Sequence, residues 1–197
     1  IIGTGYVGLV TGTCFAELGN EVRGVDIDVG KIKRLQAGEI PIYEPGLEEL
    51  VHRNQKENRL HFTTDIVEGI QWADMVFSAV GTPPNGDHGA DLTAVYAVAQ
   101  AFGTAIEKYT VFVNKSTIPV GTTEQVKFII LEQLKERGHS AEEAVDLFDV
   151  VANPEFLREG SAVKDFMNPD RVIAGVDSVR AREPMEQLYR PLIRQHP

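Results

Sequence analysis

Cysteine is nearly missing from this sequence: Cys14 is the single one in 197 residues. That excludes an internal disulfide framework and suits a reducing compartment such as the cytoplasm. Positive charge is also in short supply, with 19 Lys and Arg against 29 Asp and Glu and a net charge of −10. Such an acidic chain is a poor partner for nucleic acid or an anionic membrane, although backbone amides can still hold an anionic nucleotide locally. No apolar run approaches the roughly 20 residues of a membrane span. No signal peptide is visible, but the chain opens inside an expected strand without a starting Met, so whatever precedes Ile1 lies outside this reading. The five His stand at no metal-ligand spacing with acids or Cys, and no metal site is expected. What remains is an ordinary globular composition, 43% hydrophobic and 24% charged, long enough to bury a full core.

Strand and helix patterns alternate along almost the whole chain. The alternation predicts an α/β fold, Rossmann-like and doubly wound, with a mostly parallel sheet covered by helices on both faces. A helix is expected from Gly8 to Leu18, a strand from Glu21 to Val25, and a helix capped by Asp28 that stops at Gly38. An irregular stretch, Ile40 to Gly46, precedes a helix over Leu47 to Lys56 and a strand over Leu60 to Thr63. Thr64 or Asp65 caps the helix ending near Trp72. Further strands are expected over Met75 to Val80, Thr110 to Asn114, Phe148 to Ala152 and Arg171 to Val176. The intervening helices run from Asp91 to about Glu107 and from Thr122 to Arg137, and a last helical pattern stops at Pro197.

The first eight residues carry the sharpest local signal. Ile1-Ile2 reads as the end of a buried strand, and Gly3, Gly5 and Gly8 follow at the spacing of a strand-to-helix turn that receives a pyrophosphate. The unpaired N–H groups of the next helix face the phosphates. Asp26, at the end of the second strand, stands where a carboxylate accepts hydrogen bonds from an adenosine ribose. It also disfavours NADP⁺, whose 2′-phosphate meets a like charge, although the cation of Lys31 five residues on tolerates some phosphate. The competing reading of Asp26 is a surface carboxylate.

Three more polar loops follow strand ends, around Thr82, Thr117 and Glu155, and the carboxyl edge of an open α/β sheet is where ligands sit. Together they describe a site longer than a dinucleotide requires. Thr82 and Thr117 can equally be ordinary strand-terminating residues. Glu155 and Glu159 lie four apart and share a face if the segment is helical, or else simply mark a solvated helix start. Cys14 falls mid-helix with Val10 and Leu18 and reads as a small core hydrophobe. Trp72 and the stripe Val126, Ile129, Ile130, Leu134 read as core. Tyr43 is assigned no chemistry.

These segments, taken in order, resemble the N-terminal half of the nucleotide-sugar dehydrogenases, the UDP-glucose/GDP-mannose dehydrogenase family, and most nearly its UDP-glucose-oxidising branch. The resemblance rests on Gly3-Thr4-Gly5-Tyr6-Val7-Gly8, Val25-Asp26-Ile27-Asp28, Ile40-Pro41-Ile42-Tyr43-Glu44-Pro45-Gly46-Leu47 and Val80-Gly81-Thr82-Pro83. It continues through Lys115-Ser116-Thr117-Ile118-Pro119-Val120-Gly121, Asn153-Pro154-Glu155-Phe156-Leu157-Arg158-Glu159-Gly160 and Asn168-Pro169-Asp170-Arg171. The resemblance implies oxidation of a UDP-sugar at C6 to a carboxylate, with two NAD⁺ reduced per sugar and a Cys-bound intermediate. It implies that the turn Gly3, Gly5, Tyr6, Val7 and Gly8 binds NAD⁺ together with Asp26, Lys31, Thr82, Thr117 and Glu159. Glu155, Phe156, Leu157, Arg158 and Glu159 are implied to bind the nucleotide sugar, with Thr117 and Glu155 ordering a water near the reacting carbon.

The sequence departs from the family pattern in one respect. The nucleophile's Gly-x-Cys-x-Pro-Lys-Asp stretch, and the substrate-binding Lys and Asn of the central helix, do not occur up to Pro197. Residues 1–197 are therefore expected to be the NAD-binding domain of a longer enzyme, inactive by itself. The resemblance implies a homo-oligomer, a dimer or larger. Two alternatives stay open: a freestanding dinucleotide-binding module without turnover, and a dehydrogenase for GDP-mannose or a UDP-N-acetyl sugar.

Overall fold

The computed structural model describes residues 1–86 and 89–193. Helix α1 (Tyr6–Glu17) leads to β1 (Val22–Val25), α2 (Val29–Gln36), α3 (Leu47–Lys56), β2 (Leu60–Thr63), α4 (Ile66–Trp72) and β3 (Met75–Ser78). The chain continues through α5 (Thr93–Ala105), β4 (Thr110–Asn114), α6 (Thr122–Glu136), α7 (Ala141–Asp146), β5 (Phe148–Ala152), α8 (Ala162–Met167) and α9 (Val179–Ile193). The expected extension of the last helix to Pro197 lies outside the described residues.

Strand β1 pairs in parallel with β2, and β3, β4 and β5 pair in parallel in that order. Ile2 joins the two groups, bridging Val25 on one side and Ser78 on the other, both in parallel. The expected terminal strand is therefore present as a connecting residue in the middle of the sheet. Because every one of these strands runs the same way, the turn at Gly3 and the loops after β1, β3, β4 and β5 emerge on one rim.

Local chemistry explains the helix starts. Asp28 accepts a hydrogen bond from the Lys31 amide and Asp65 from the Glu68 amide, so Asp65, not Thr64, is the cap of α4. Two short helices, α7 and α8, were not expected. Ser140 and Glu143 form a reciprocal capping box at the start of α7, a signal readable in Ser-x-x-Glu.

Helices cover both faces. On one, Leu9, Val10, Cys14 and Phe15 of α1 pack with Leu47 and Val51 of α3 and Met185 and Tyr189 of α9. On the other, Ile70 of α4, Phe102 of α5 and Val126, Ile130 and Leu134 of α6 bury against Val76, Phe112 and Val150 of the sheet. Phe15 sits at the centre of an aromatic group with Phe77, Phe166 and Tyr189.

Two expectations are corrected. Arg171 to Val176 is not a strand: a single antiparallel bridge joins Gly175 to Ala152. Pro154 lacks an N–H just past the end of β5, and the Ser178 hydroxyl accepts from the Ala181 amide and turns the chain into α9, so no second pair forms. Trp72 is not a core residue either. It is 37% exposed, with the Arg23 guanidinium stacked 4.3 Å from its ring centre.

Candidate functional site

The glycine turn is built by close approach. Gly3 has φ +94°, and a Cβ there would lie 2.8 Å from the Ala79 carbonyl oxygen. A Cβ on Gly8 would lie 1.8 Å from the Gly3 carbonyl oxygen, so only glycine lets α1 start this close to the strand. Gly5 differs: a Cβ there would meet no protein atom within 4 Å. No side chain caps α1 at Gly5, which leaves a helix N-terminus open to an anion directly beside that space. Tyr6 and Val7 are half-buried in the first turn.

Asp26 is 9% exposed and stands across from this turn. Its Oδ2 accepts from the Thr4 amide at 2.9 Å, the Thr4 hydroxyl at 2.8 Å and the Lys31 ammonium at 2.8 Å. Its Oδ1 accepts from the Asp28 amide at 3.0 Å. Burial alone would raise the carboxyl, but Lys31 and the Asp28 and Thr4 donors outweigh it and hold it at about 2. The carboxylate is thus ionised and rigidly oriented. Lys31 is its ion-pair partner, a relation that spacing alone did not disclose, and Thr4 is an orienting residue the sequence reading left without a role.

The loops after β3 and β4 are stitched together. The Thr82 hydroxyl donates to the Thr117 carbonyl at 3.0 Å, and the Ser116 hydroxyl to the Val80 carbonyl at 2.7 Å. Thr117 itself is exposed on the rim. Among the described residues no hydrogen bond joins Thr117 to Glu155.

The Glu155–Glu159 segment is an irregular loop rather than a helix, so the two carboxylates do not share a helical face. Glu155 is half-buried and its Oε2 accepts from the Leu157 amide at 2.5 Å. Phe156 is 50% exposed beneath the Arg171 guanidinium, and Leu157 packs on the core. Arg158 forks onto Asp165 at 3.0 and 2.7 Å. Glu159 is exposed.

A cavity of about 280 Å³ opens behind this loop, lined by Lys115, Asn153, Glu155, Arg158, Arg171 and Tyr189 among others. Lys115 is 4% exposed, and its ammonium donates to Asn153 Oδ1 at 3.3 Å. Burial pushes it down to about 8, against the opposing pull of the Glu155 charge. Asn153 also accepts from the Tyr189 hydroxyl at 2.5 Å and donates to the Ile173 carbonyl at 2.7 Å. A larger cavity of about 430 Å³ lies toward the other end of the strands, near Val22, Met75 and Lys108, away from the glycine turn.

Cys14 is fully buried, and burial pushes its thiol up to about 12, which keeps it protonated and inert. Among the described residues no group of His, Cys, Asp and Glu could hold a metal ion, and no helix is long and apolar enough to cross a membrane.

The NAD binding domain model of the UDP-glucose/GDP-mannose dehydrogenase family matches residues 1–193. UDP-glucose 6-dehydrogenase of Pseudomonas aeruginosa is 50% identical over 196 residues, covering 100% of this chain and 42% of the relative. UDP-glucose 6-dehydrogenase TuaD of Bacillus subtilis is 50% identical over 191 residues, covering 97% and 40%. The chain thus spans about two fifths of the length of the curated relatives it matches. Among solved structures, a UDP-glucose dehydrogenase of Pyrobaculum islandicum superposes with a TM-score of 0.87 at 42% identity, over 97% of this chain and 43% of that one. GDP-mannose dehydrogenase of Pseudomonas aeruginosa superposes with a TM-score of 0.89 at 34% identity, over 98% and 44%. A glycine turn open at Gly5, an oriented Asp26 and a family match running from the first residue to the last described helix agree, and the chain belongs to the UDP-glucose/GDP-mannose dehydrogenase family as its NAD binding domain.

Proposed function

We propose that the complete protein carrying this chain oxidises UDP-glucose at C6 to UDP-glucuronate, with two successive hydride transfers to NAD⁺. Residues 1–197 supply the cofactor-binding domain. The observation that carries the reading is the placement of the Gly3–Gly8 turn, Asp26 and the Glu155 loop on one rim of the sheet.

The residues present fit the cofactor. The space at Gly5 accepts a pyrophosphate against the open N-terminus of α1, and Asp26 offers an ionised carboxylate to the adenosine ribose. Lys31, Thr82, Thr117 and Glu159 complete the NAD⁺ contacts, and bound NAD⁺ supplies the hydride acceptor. Glu155, Phe156, Leu157, Arg158 and Glu159 receive the nucleotide sugar. Glu155 and Thr117 order the water and organise proton transfer to it as alcohol becomes carboxylate. Cys14 is sealed in the core, so the covalent step belongs to a cysteine outside this stretch. The protein acts in the cytoplasm, as a homo-oligomer of two or more chains.

The sugar is read from sequence, because shape does not separate the candidates. The GDP-mannose enzyme superposes as well as the UDP-glucose enzyme, with TM-scores of 0.89 and 0.87, while the relatives 50% identical to this chain act on UDP-glucose. The test is NADH yield from the complete protein. Two NADH per UDP-glucose is the expected result. NADH from GDP-mannose or a UDP-N-acetyl sugar alone moves the substrate to that sugar. NAD⁺ binding with no NADH from any of them leaves a binding module.

A further inference from the structure

Glu44 belongs to the irregular Ile40–Gly46 stretch, which the proposed function leaves without a task. It is 5% exposed, an unusual place for a carboxylate with no cation paired to it among the described residues. Its oxygens are instead occupied by donors from two distant segments. The Tyr6 hydroxyl, in the turn that begins α1, donates to Oε2. The Gly160 amide donates to the same oxygen at 2.8 Å, and the Val163 amide reaches Oε1 at 3.4 Å. The Gly160 amide also lies 3.1 Å from the Tyr6 hydroxyl, and the Tyr6 hydroxyl 3.5 Å from the Arg158 carbonyl. Gly160 has φ +84°, a backbone that other residues adopt only with strain, and in this turn its amide meets the carboxylate. Burial and the bond to Glu44 push Tyr6 up to about 12, which keeps the hydroxyl a donor.

We propose that Glu44 is a positioning residue that couples cofactor binding at the glycine turn to the geometry of the sugar-binding loop, by holding Tyr6 and the Gly160 and Val163 amides on one buried carboxylate. The inference rests on the proposed roles of the turn and the loop. Glu44 touches neither ligand: it acts through Tyr6 on one side and through Gly160 on the other. NAD⁺ seated on the turn fixes Tyr6, and Tyr6 and Glu44 then fix the loop that carries Glu155 to Glu159.

The test is hydrogen exchange across residues 157–163 of the complete protein, with and without saturating NAD⁺, in wild type and Glu44→Gln. Glutamine keeps the volume and one acceptor but presents an amide N–H₂ where the second oxygen took a donor. NAD⁺ is expected to slow exchange of the Gly160 and Val163 amides about tenfold in wild type and less than about twofold in Glu44→Gln. In parallel, KM for UDP-glucose is expected to rise about tenfold while the Kd for NAD⁺ moves less than about threefold. Equal slowing in both proteins, or none in wild type, overturns the proposal. If Glu44→Gln does not fold, Tyr6→Phe is measured in the same way. It removes the tie to the turn and leaves Glu44 on the loop amides, and the NAD⁺-dependent slowing is expected to vanish. The exchange readout needs no turnover, so a protein inactive toward UDP-glucose defeats the proposed substrate while this measurement still decides the role of Glu44.

Discussion

The glycine turn is held mostly by atoms from the first 31 residues: Thr4, Asp28 and Lys31 orient Asp26, and Gly3 and Gly8 set the backbone against Ala79 at the end of β3. The loop after β5 is held from far along the chain by Glu44 and Tyr6, and from nearby by Asp165, seven residues past Arg158. The first region, the proposed cofactor receptor, takes its shape from the pairing of the strands. The second takes its shape only when two remote segments, those of Tyr6 and Glu44, have docked. A site divided this way lets one half stay fixed for a common cofactor while the other depends on contacts that a ligand can shift.

The comparison breaks most sharply at Gly8. Gly8→Ala puts a methyl 1.8 Å from a backbone oxygen, and the expected cost is about 3 kcal/mol or more. A melting temperature within a few degrees of wild type would show that the turn relaxes and is not rigid.

Acid sharpens the same contrast. The Asp26 carboxyl lies at about 2 in the folded chain against an ordinary value of 3.8. A depressed carboxyl contributes stability that is fully present above the unfolded value and is lost as pH falls through the folded one. Stability is therefore expected to fall between about pH 4 and pH 2 in wild type, and less so in Asp26→Asn. Urea titrations across that range, giving parallel curves for the two proteins, would contradict the account of Asp26.

Lys115 tests the floor of the second region at the alkaline end, where the slope has the same sign. Its folded value of about 8 lies below the ordinary lysine value of 10.5. The unfolded chain binds more protons between these values, so this group makes stability rise with pH across that window. Lys115→Met is expected to lack that rise and to be more stable than wild type at neutral pH. An identical pH dependence in both proteins would mean the ammonium is solvated.

Cys14→Ala is the smallest change. It removes a buried sulfur from the α1 core at a cost of about 1 kcal/mol, with turnover of the complete protein unchanged. Lost turnover with folding intact would make the thiol chemical after all.

The sequence made the first region legible because its determinants are local. Three glycines, a strand end and Asp26 fall within 26 residues, and the caps Asp28 and Asp65 are likewise read from a few neighbours. It made the order of strands and helices legible for the same reason. Glu44 falls within a sequence motif, yet it accepts from an amide 116 residues away, which no periodicity encodes. Lys115 and Asn153 meet only because β4 and β5 pair side by side. The run Arg171 to Val176 reads as a strand because it is mostly apolar, yet only Val172 and Val176 pack on the core, Ile173 is 45% exposed, and its backbone has a single residue to pair with. Trp72 looked like core by residue type, but it lies at the end of α4 where Arg23 covers it.

The most direct test of the central claim, that the turn and Asp26 form the NAD⁺ receptor, is calorimetric titration of the complete protein and its Asp26→Ala variant with NAD⁺ and NADP⁺. The account predicts that wild type binds NAD⁺ well ahead of NADP⁺, and that the variant weakens NAD⁺ by about tenfold or more and narrows that preference. Unchanged NAD⁺ affinity in the variant, or wild-type protein that binds both cofactors equally, would contradict it.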